Sequence, residues 1–139
     1  MKFQSRKFSE LSVGLTESTT HVVTLDEIRR FSELVGDFHP LHVDEEYAVN
    51  AGFEGVIAQG FLVSSLASSL VSMTLPGEST LIVSQAFRYN KPIYPGNELT
   101  IVGAISSLDS RFMVATIEIS ILCGDVMKAS GRIDIKLRF

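Results

Sequence analysis

Apolar positions follow a helical period in the first half of the chain and a period of two in the second half. Over 25–35 they recur every third or fourth residue, which is typical of an amphipathic helix. Thr24 and Glu27 match a capping box, in which each side chain bonds to the other residue's backbone N–H, and Gly36 is a typical helix stop. A first helix is therefore predicted between Thr24 and Gly36.

Two further helices are predicted before the period changes. Asp44 can cap a short helix over 45–50. A longer helix is predicted over about 59–75, ended by the Pro-Gly pair that follows. The stretch 55–77 contains no Asp, Glu, Lys or Arg, but its many serines argue against a membrane-spanning segment. An uncharged helix of this kind is expected to be buried inside a folded domain.

The second half of the chain alternates apolar and polar residues, which predicts strands with one buried and one exposed face. The predicted strands of this half cover 81–89, 99–105, 114–121 and 132–139, the last ending at Phe139, and an earlier strand is predicted over 18–23 from its threonines and valines. Turns are predicted around 108–110 and 123–125. Antiparallel strands with one apolar helix predict an α+β architecture in a single domain over 1–139, with the sheet wrapped around that helix.

Composition narrows the classes of function. The 139 residues carry a net charge of −4, which argues against binding to nucleic acid or to an anionic membrane surface. Cys123 is the single cysteine, so neither an intrachain disulfide nor a cysteine-based zinc cluster can form. The basic residues among the first seven are not followed by an apolar signal segment. These features lead us to expect a cytoplasmic protein.

The densest group of polar side chains lies in segment 36–44, which contains two histidines and two aspartates. Pro40 stiffens this segment and moves His39 out of the helical region. A stiff connection can hold the Asp37 carboxylate and the His42 imidazole at a fixed separation, as acid–base chemistry on a bound water requires. The same residues are equally well explained as a helix stop, turn histidines and a cap, so composition leaves both interpretations open.

A metal site is a weaker interpretation of this segment. His39, His42 and Asp44 could form a histidine–carboxylate set, but no further histidine or cysteine lies near them and no HExxH-type spacing occurs. We therefore expect no bound metal and no resident cofactor.

A second candidate is the start of the long helix. The first N–H groups of a helix are unpaired, and Gly60 has no side chain to block an oxygen that approaches them. Such a position can act as an oxyanion hole, although Gly60 can equally serve close packing. Downstream, Arg88 and Lys91 could contact substrate phosphates or be ordinary solvated charges, and 91–99 is well explained as a rigid connector.

Three motifs in this order resemble the MaoC-like dehydratase family, which includes the R-specific 2-enoyl-CoA hydratases. The family pattern G-D-x-N-P-[IVL]-H appears as GDFHPLH over 36–42, and the helix entry P-I-x-H-G-M appears as VIAQGF over 56–61. The later pattern F-x-x-P-[IV]-x-x-G-[DN]-x-L appears as YNKPIYPGNEL over 89–99. The resemblance runs from about Thr24 to the C-terminus. It implies a hotdog fold, in which an antiparallel sheet wraps around a long central helix, and a homodimer.

The activity implied by the resemblance is reversible hydration of trans-2-enoyl thioesters to (3R)-hydroxyacyl thioesters, a lyase reaction of fatty acid metabolism. Asp37 and His42 would be the catalytic acid–base pair. The Gly60 N–H would stabilise the thioester oxyanion, and Ser65 would be a polar residue beside the site. The thioester of coenzyme A, or of an acyl carrier protein, would be the substrate and not a bound cofactor.

The chain departs from the family pattern at two candidate substrate-binding positions. His39 stands where Asn is usual, and Gln59 stands where His is frequent. His39 adds a titratable group beside Asp37, whereas Gln59 can donate a hydrogen bond but cannot transfer a proton at neutral pH. The alternatives to a CoA hydratase are an acyl-carrier-protein dehydratase, a non-catalytic acyl-thioester-binding hotdog module and a hotdog thioesterase.

Overall fold

The structure is a computed structural model that describes residues 3–138, so Met1, Lys2 and the predicted strand end at Phe139 lie outside the described residues. Its helices are α1 (Leu25–Val35), α2 (Pro40–Val43), α3 (Glu45–Asn50) and α4 (Gly60–Met73), preceded by a short 3₁₀ helix at Phe8–Glu10. Its strands are β1 (Thr16–Val22), β2 (Thr80–Tyr89), β3 (Glu98–Asp109), β4 (Val114–Cys123) and β5 (Val126–Leu137).

The predicted caps of α1 and α3 are confirmed. The Glu27 N–H donates to Thr24 Oγ1 (3.1 Å), and the Thr24 N–H donates to Glu27 Oε2 (2.8 Å). Gly36 ends α1 with a φ of +75°, a conformation that glycine adopts without strain. The Tyr47 N–H donates to Asp44 Oδ1 (3.0 Å), which starts α3. Local sequence therefore fixes both ends of α1 and the start of α3.

The five strands form one antiparallel sheet in the order β1–β3–β4–β5–β2. The predicted alternation is confirmed over 115–121 of β4 and 133–137 of β5, where the apolar positions are buried and their polar neighbours are partly or fully exposed. β5 begins at Val126, earlier than predicted, because Val126 pairs across the turn with Cys123 of β4. Pairing with a neighbouring strand thus extends a strand beyond its alternating segment.

Helix α4 packs against the buried face of this sheet. A Cβ at Gly103 of β3 would lie 3.2 Å from Leu70 Cδ2, so the absence of a side chain there allows the helix to lie close to the strand. Helix α4 is buried on the side that faces the sheet, as expected, whereas Phe61 and Ser65 on its other side are exposed. The sheet covers one side of the helix only. No helix among residues 3–138 is both long and apolar enough to cross a membrane.

The predicted loop between α1 and α3 contains a one-turn helix, α2, which the sequence analysis missed. Pro40 occupies its first turn, where the missing N–H is harmless. His39 precedes it with φ −56° and ψ 132°, outside the helical region as predicted, and its Nδ1 accepts a hydrogen bond from the Leu41 N–H (3.3 Å). A stiff turn therefore connects Asp37 to His42.

Candidate active site

Asp37 lies directly after the C-terminal cap of α1. The Gly36 N–H donates to the Ser32 carbonyl oxygen (2.8 Å), which closes the last turn of the helix. The carboxylate of Asp37 accepts a hydrogen bond at Oδ1 from the His39 N–H (3.2 Å), and 45% of the side chain is exposed. The local turn thus holds this carboxylate in place while water can still reach it.

His42 is held from the opposite side by the segment that leads into α4. Its Nδ1 lies 2.7 Å from the Ile57 carbonyl oxygen. Because a carbonyl oxygen can only accept a hydrogen bond, Nδ1 carries the hydrogen. In the neutral ring this leaves the lone pair on Nε2, so Nε2 is the nitrogen that is free to take up a proton.

Asp37 and His42, the two residues that the resemblance implied as an acid–base pair, lie close together. His42 Nε2 lies 3.9 Å from Asp37 Oδ2, and only 14% of the His42 side chain is exposed. This separation is longer than a hydrogen bond, although a charged imidazole and a carboxylate at such a distance attract each other. The two groups can therefore exchange protons with the same bound molecule.

Gly60 shares a cavity with His42. It is the first residue of α4, and the preceding Gln59 provides no side-chain cap to the free N–H groups of the helix start. The cavity has a volume of about 310 Å³ and is lined mainly by apolar side chains, among them Phe53, Val63 and Ile93. An apolar cavity with an imidazole and a helix N-terminus in its wall is suited to an acyl group whose carbonyl oxygen meets backbone donors.

Tyr89, at the end of β2, also lines the cavity and was missed by the sequence analysis. A Cβ at Gly60 would lie 2.9 Å from two carbons of the Tyr89 ring, so no larger residue fits at Gly60 without a shift of this ring. The available signal was the aromatic residue that opens the motif over 89–99. Of the two basic candidates, Lys91 lines the same cavity, whereas Arg88 lies in a groove on the sheet.

The side chains of the other three candidates lie elsewhere. Gln59 is buried against α1, where its Nε2 donates to the Ile28 carbonyl oxygen (3.0 Å) and to Ser32 Oγ (2.8 Å). His39 is exposed, with its ring centroid 5.9 Å from that of His42. Ser65 lies in a groove between α4 and β2 and donates to the Leu62 carbonyl oxygen (2.6 Å). The structure therefore places Asp37 beside His42 and brings His42 and Gly60 into one cavity wall, whose lining includes neither Asp37 nor these three.

The described part of the chain, residues 3–138, contains no group of three or more His, Cys, Asp or Glu residues arranged to hold a metal ion. The set of His39, His42 and Asp44 considered from sequence is accordingly not assembled. Asp44 instead caps α3 through the Tyr47 N–H.

The chain belongs to the MaoC-like domain family, whose model matches residues 10–122. It is 31% identical over 112 residues to an (R)-specific enoyl-CoA hydratase of Aeromonas caviae, covering 80% of this chain and 84% of that protein. It is 36% identical over 101 residues to a mitochondrial 3-hydroxyacyl-[acyl-carrier-protein] dehydratase of Arabidopsis thaliana, covering 73% of this chain and 58% of that one.

The solved structure of the (R)-hydratase from A. caviae superposes with a TM-score of 0.87 at 30% identity, covering 91% of this chain and 97% of that one. This similarity and the wrapped antiparallel sheet confirm the predicted hotdog fold. The relatives are hydratases and dehydratases of acyl thioesters, which is the class of reaction that the three motifs implied.

Proposed function

We propose that this protein catalyses reversible hydration of trans-2-enoyl thioesters to (3R)-hydroxyacyl thioesters, with Asp37 and His42 as its acid–base pair. The observation that carries the proposal is the 3.9 Å separation of His42 Nε2 and Asp37 Oδ2 beside the cavity that holds Gly60. A water held by the pair adds to C3 of the enoyl group. The pair accepts one water proton and delivers a proton to C2, so the oxygen, the hydrogen and the charge balance.

The start of α4 supplies the electrostatic part of this mechanism. Addition of water at C3 places negative charge on the thioester oxygen before C2 is protonated. The Gly60 N–H lies at the positive end of the helix dipole and has no capping side chain to compete for it. A preorganised donor of this kind stabilises the enolate more than the neutral substrate, which accelerates the reaction.

Coenzyme A is the carrier that we propose for the acyl group, with no resident cofactor or metal. The net charge of −4 makes this chain a poor docking surface for an acidic carrier protein, because like charges repel. Lys91 in the cavity wall and Lys128, whose Nζ donates to the Pro92 carbonyl oxygen (2.9 Å), provide positive charge on this side of the protein. A cytoplasmic location forms part of the same proposal.

A homodimer is the assembly that we propose for the enzyme. Strand β2 pairs only with β5 within the described sheet, so its outer edge offers free backbone groups. Leu81 and Val83 on this strand are about half exposed, and 76% of Phe61 on α4 is exposed. Pairing of two copies along β2 would cover these apolar side chains, and Ser65 would then lie near the contact between the copies. Light scattering should give twice the chain mass.

The experiment that tests the proposal follows the loss of enoyl absorbance with trans-2-enoyl-CoAs of short and medium chain length. The same acyl groups on an acyl carrier protein are run in parallel, together with an assay for free thiol. We expect hydration of the CoA thioesters without thiol release. Thiol release would indicate a thioesterase, and faster turnover of the carrier-bound substrates would indicate a carrier-protein dehydratase. Saturable acyl-CoA binding without turnover would indicate a non-catalytic module.

A further inference from the structure

Gln59 is buried and points away from the cavity, although it directly precedes Gly60. Only 2% of the residue is exposed. A glutamine amide nitrogen carries two hydrogens, and both are used here, one toward the Ile28 carbonyl oxygen (3.0 Å) and one toward Ser32 Oγ (2.8 Å). Its Oε1 is buried without a partner among the described residues, which offsets part of the stabilisation from these two bonds. The two hydrogen bonds fix the position of Gln59 relative to α1, while the buried Oε1 reduces the stability that they add.

The two segments joined by Gln59 carry the groups of the proposed active site. On one side, the Ser32 carbonyl oxygen accepts from the Gly36 N–H (2.8 Å), and Asp37 is the next residue. On the other side, Gln59 leads into Gly60. The side chain of Gln59 thus ties the turn that positions the carboxylate to the helix start that provides the proposed oxyanion donor.

His42 is anchored to the same segment. Its Nδ1 contacts the Ile57 carbonyl oxygen (2.7 Å), and the Ile57 N–H donates to the Leu41 carbonyl oxygen (3.0 Å). A shift of Gln59 relative to α1 therefore moves the helix start and the imidazole anchor together, while the Asp37 carboxylate stays with α1. All three groups keep their separation only while the amide holds the two segments in register.

We propose that Gln59 is a positioning residue, whose amide holds the Gly60 N–H and the His42 imidazole in register with the Asp37 carboxylate. The inference rests on the proposed function, because it is the hydration step that needs the thioester oxygen at Gly60 while the pair reaches C2 and C3. The Gln59 side chain does not line the cavity, so its amide makes no direct contact with a substrate bound there. Loss of the amide should consequently lower kcat and leave KM unchanged.

The test compares Gln59→Met, Ser32→Ala and a matched control, Thr74→Val. Methionine has about the length of glutamine but has no hydrogen-bond donor. Thr74 is also buried and lies at the opposite end of α4, where its Oγ1 donates to the Leu70 carbonyl oxygen (2.8 Å). We expect kcat of Gln59→Met to fall between about tenfold and a hundredfold, because small misplacements of reacting groups have effects of this size. Ser32→Ala should cause a smaller fall, and Thr74→Val none.

A readout that needs no turnover separates this inference from the proposed function. The NMR resonances of the Gly60 amide and of the His42 ring should shift in Gln59→Met and stay in place in Thr74→Val. Wild-type kcat in Gln59→Met would overturn the inference, and so would a fall in kcat that merely matches Thr74→Val at an equal loss of thermal stability. If wild-type protein shows no hydration, the proposed function fails, and unshifted resonances in Gln59→Met would overturn the positioning role independently.

Discussion

The starts of α1 and α4 differ in whether side chains satisfy their free backbone N–H groups. Every helix begins with backbone N–H groups that have no partner inside the helix. In α1, Thr24 Oγ1 accepts a hydrogen bond from the Glu27 N–H, and the Glu27 carboxylate accepts one from the Thr24 N–H. Asp26 adds a second acidic residue to the first turn. In α4, Gln59 turns its amide toward α1, no side chain caps the helix, and the first turn contains no acidic residue.

This difference separates a structural helix start from one that is available to a ligand. At α1, carboxylates and a hydroxyl neutralise the positive end of the helix dipole, so the start contributes to stability. At α4, the same positive end borders an apolar cavity that contains His42. An oxygen atom of a ligand that acquires negative charge during a reaction can therefore find there the donors that the protein itself does not use.

The largest effect is expected from substitution of His42 or Asp37, the pair beside the uncapped start of α4. His42→Ala and Asp37→Asn should each lower kcat/KM by between about a hundredfold and ten-thousandfold, the usual range for loss of a general acid or base. Steady-state hydration of trans-2-enoyl-CoA measures this effect, and circular dichroism checks that the fold is retained. Near wild-type turnover in either variant would show that the pair beside the uncapped start of α4 does not carry out the proton transfers that we assign to it.

Gly60→Ala should block access to the free N–H groups at the start of α4. The new Cβ would lie 2.9 Å from the Tyr89 ring, so the ring or the helix start must move. We expect kcat to fall by about a hundredfold, comparable to the loss of one oxyanion donor. Adding Tyr89→Ala makes room for the Cβ and should recover part of this loss. An unimpaired Gly60→Ala enzyme would show that the backbone at this position does not meet the substrate.

Thr24→Ala should remove the side-chain cap from the start of α1 without changing kcat. Loss of a threonine cap lowers the free energy of unfolding by about 1 kcal/mol. Urea unfolding measures this change, and kcat should equal that of the wild type. A substantial decrease in kcat would contradict the distinction between the two helix starts.

The smallest effect concerns Asp134 on the outer face of the sheet, far from either helix start. Hydrogen bonds from Thr116 and Ser84, and then the charge of Arg132, hold the pKa of this carboxyl below its usual value. A lowered folded-state pKa means that the contribution to stability is present above the ordinary aspartate range and is lost as the pH falls through the folded-state value. Thr116→Val should reduce this acid sensitivity.

The measurement for Asp134 is urea unfolding at about pH 6 and at about pH 3, on either side of the ordinary aspartate pKa. The free energy of unfolding of the wild type should decrease more between the two conditions than that of Thr116→Val. Equal decreases in the two proteins would contradict the proposed origin of the pKa shift. The hydration rate at neutral pH should be the same in both.

Features of the fold that depend on residues close together in sequence could be predicted. The capping box of Thr24 and Glu27, the stop at Gly36 and the alternation in β4 and β5 all follow from local hydrogen bonding and local periodicity. The extension of β5 back to Val126 could not be predicted, because it depends on pairing with β4. The helix α2 was missed because Pro40 was interpreted only as a loop residue.

The candidate site shows the same division. The spacing around Pro40 left open whether Asp37 and His42 form a pair, the resemblance implied that they do, and the structure places the two groups 3.9 Å apart. The directions of the other side chains depend on contacts between segments distant in sequence. Gln59 meets Ser32 of α1 and Tyr89 covers Gly60, and neither contact has a local signature. Sequence therefore indicated some of the residues that border the site, such as His42 and Gly60, but not which way the other side chains point.

The stereochemistry of hydration in deuterium oxide tests the central claim most directly. Because His42 Nε2 and Asp37 Oδ2 are 3.9 Å apart, we propose that both proton transfers take place on one face of the planar enoyl thioester. The account predicts syn addition, with the hydroxyl at C3 in the R configuration and one deuterium at C2 on the same face. Anti addition or a mixture of diastereomers would contradict the assignment of both proton transfers to Asp37 and His42, and an S product would contradict the proposed (3R) configuration.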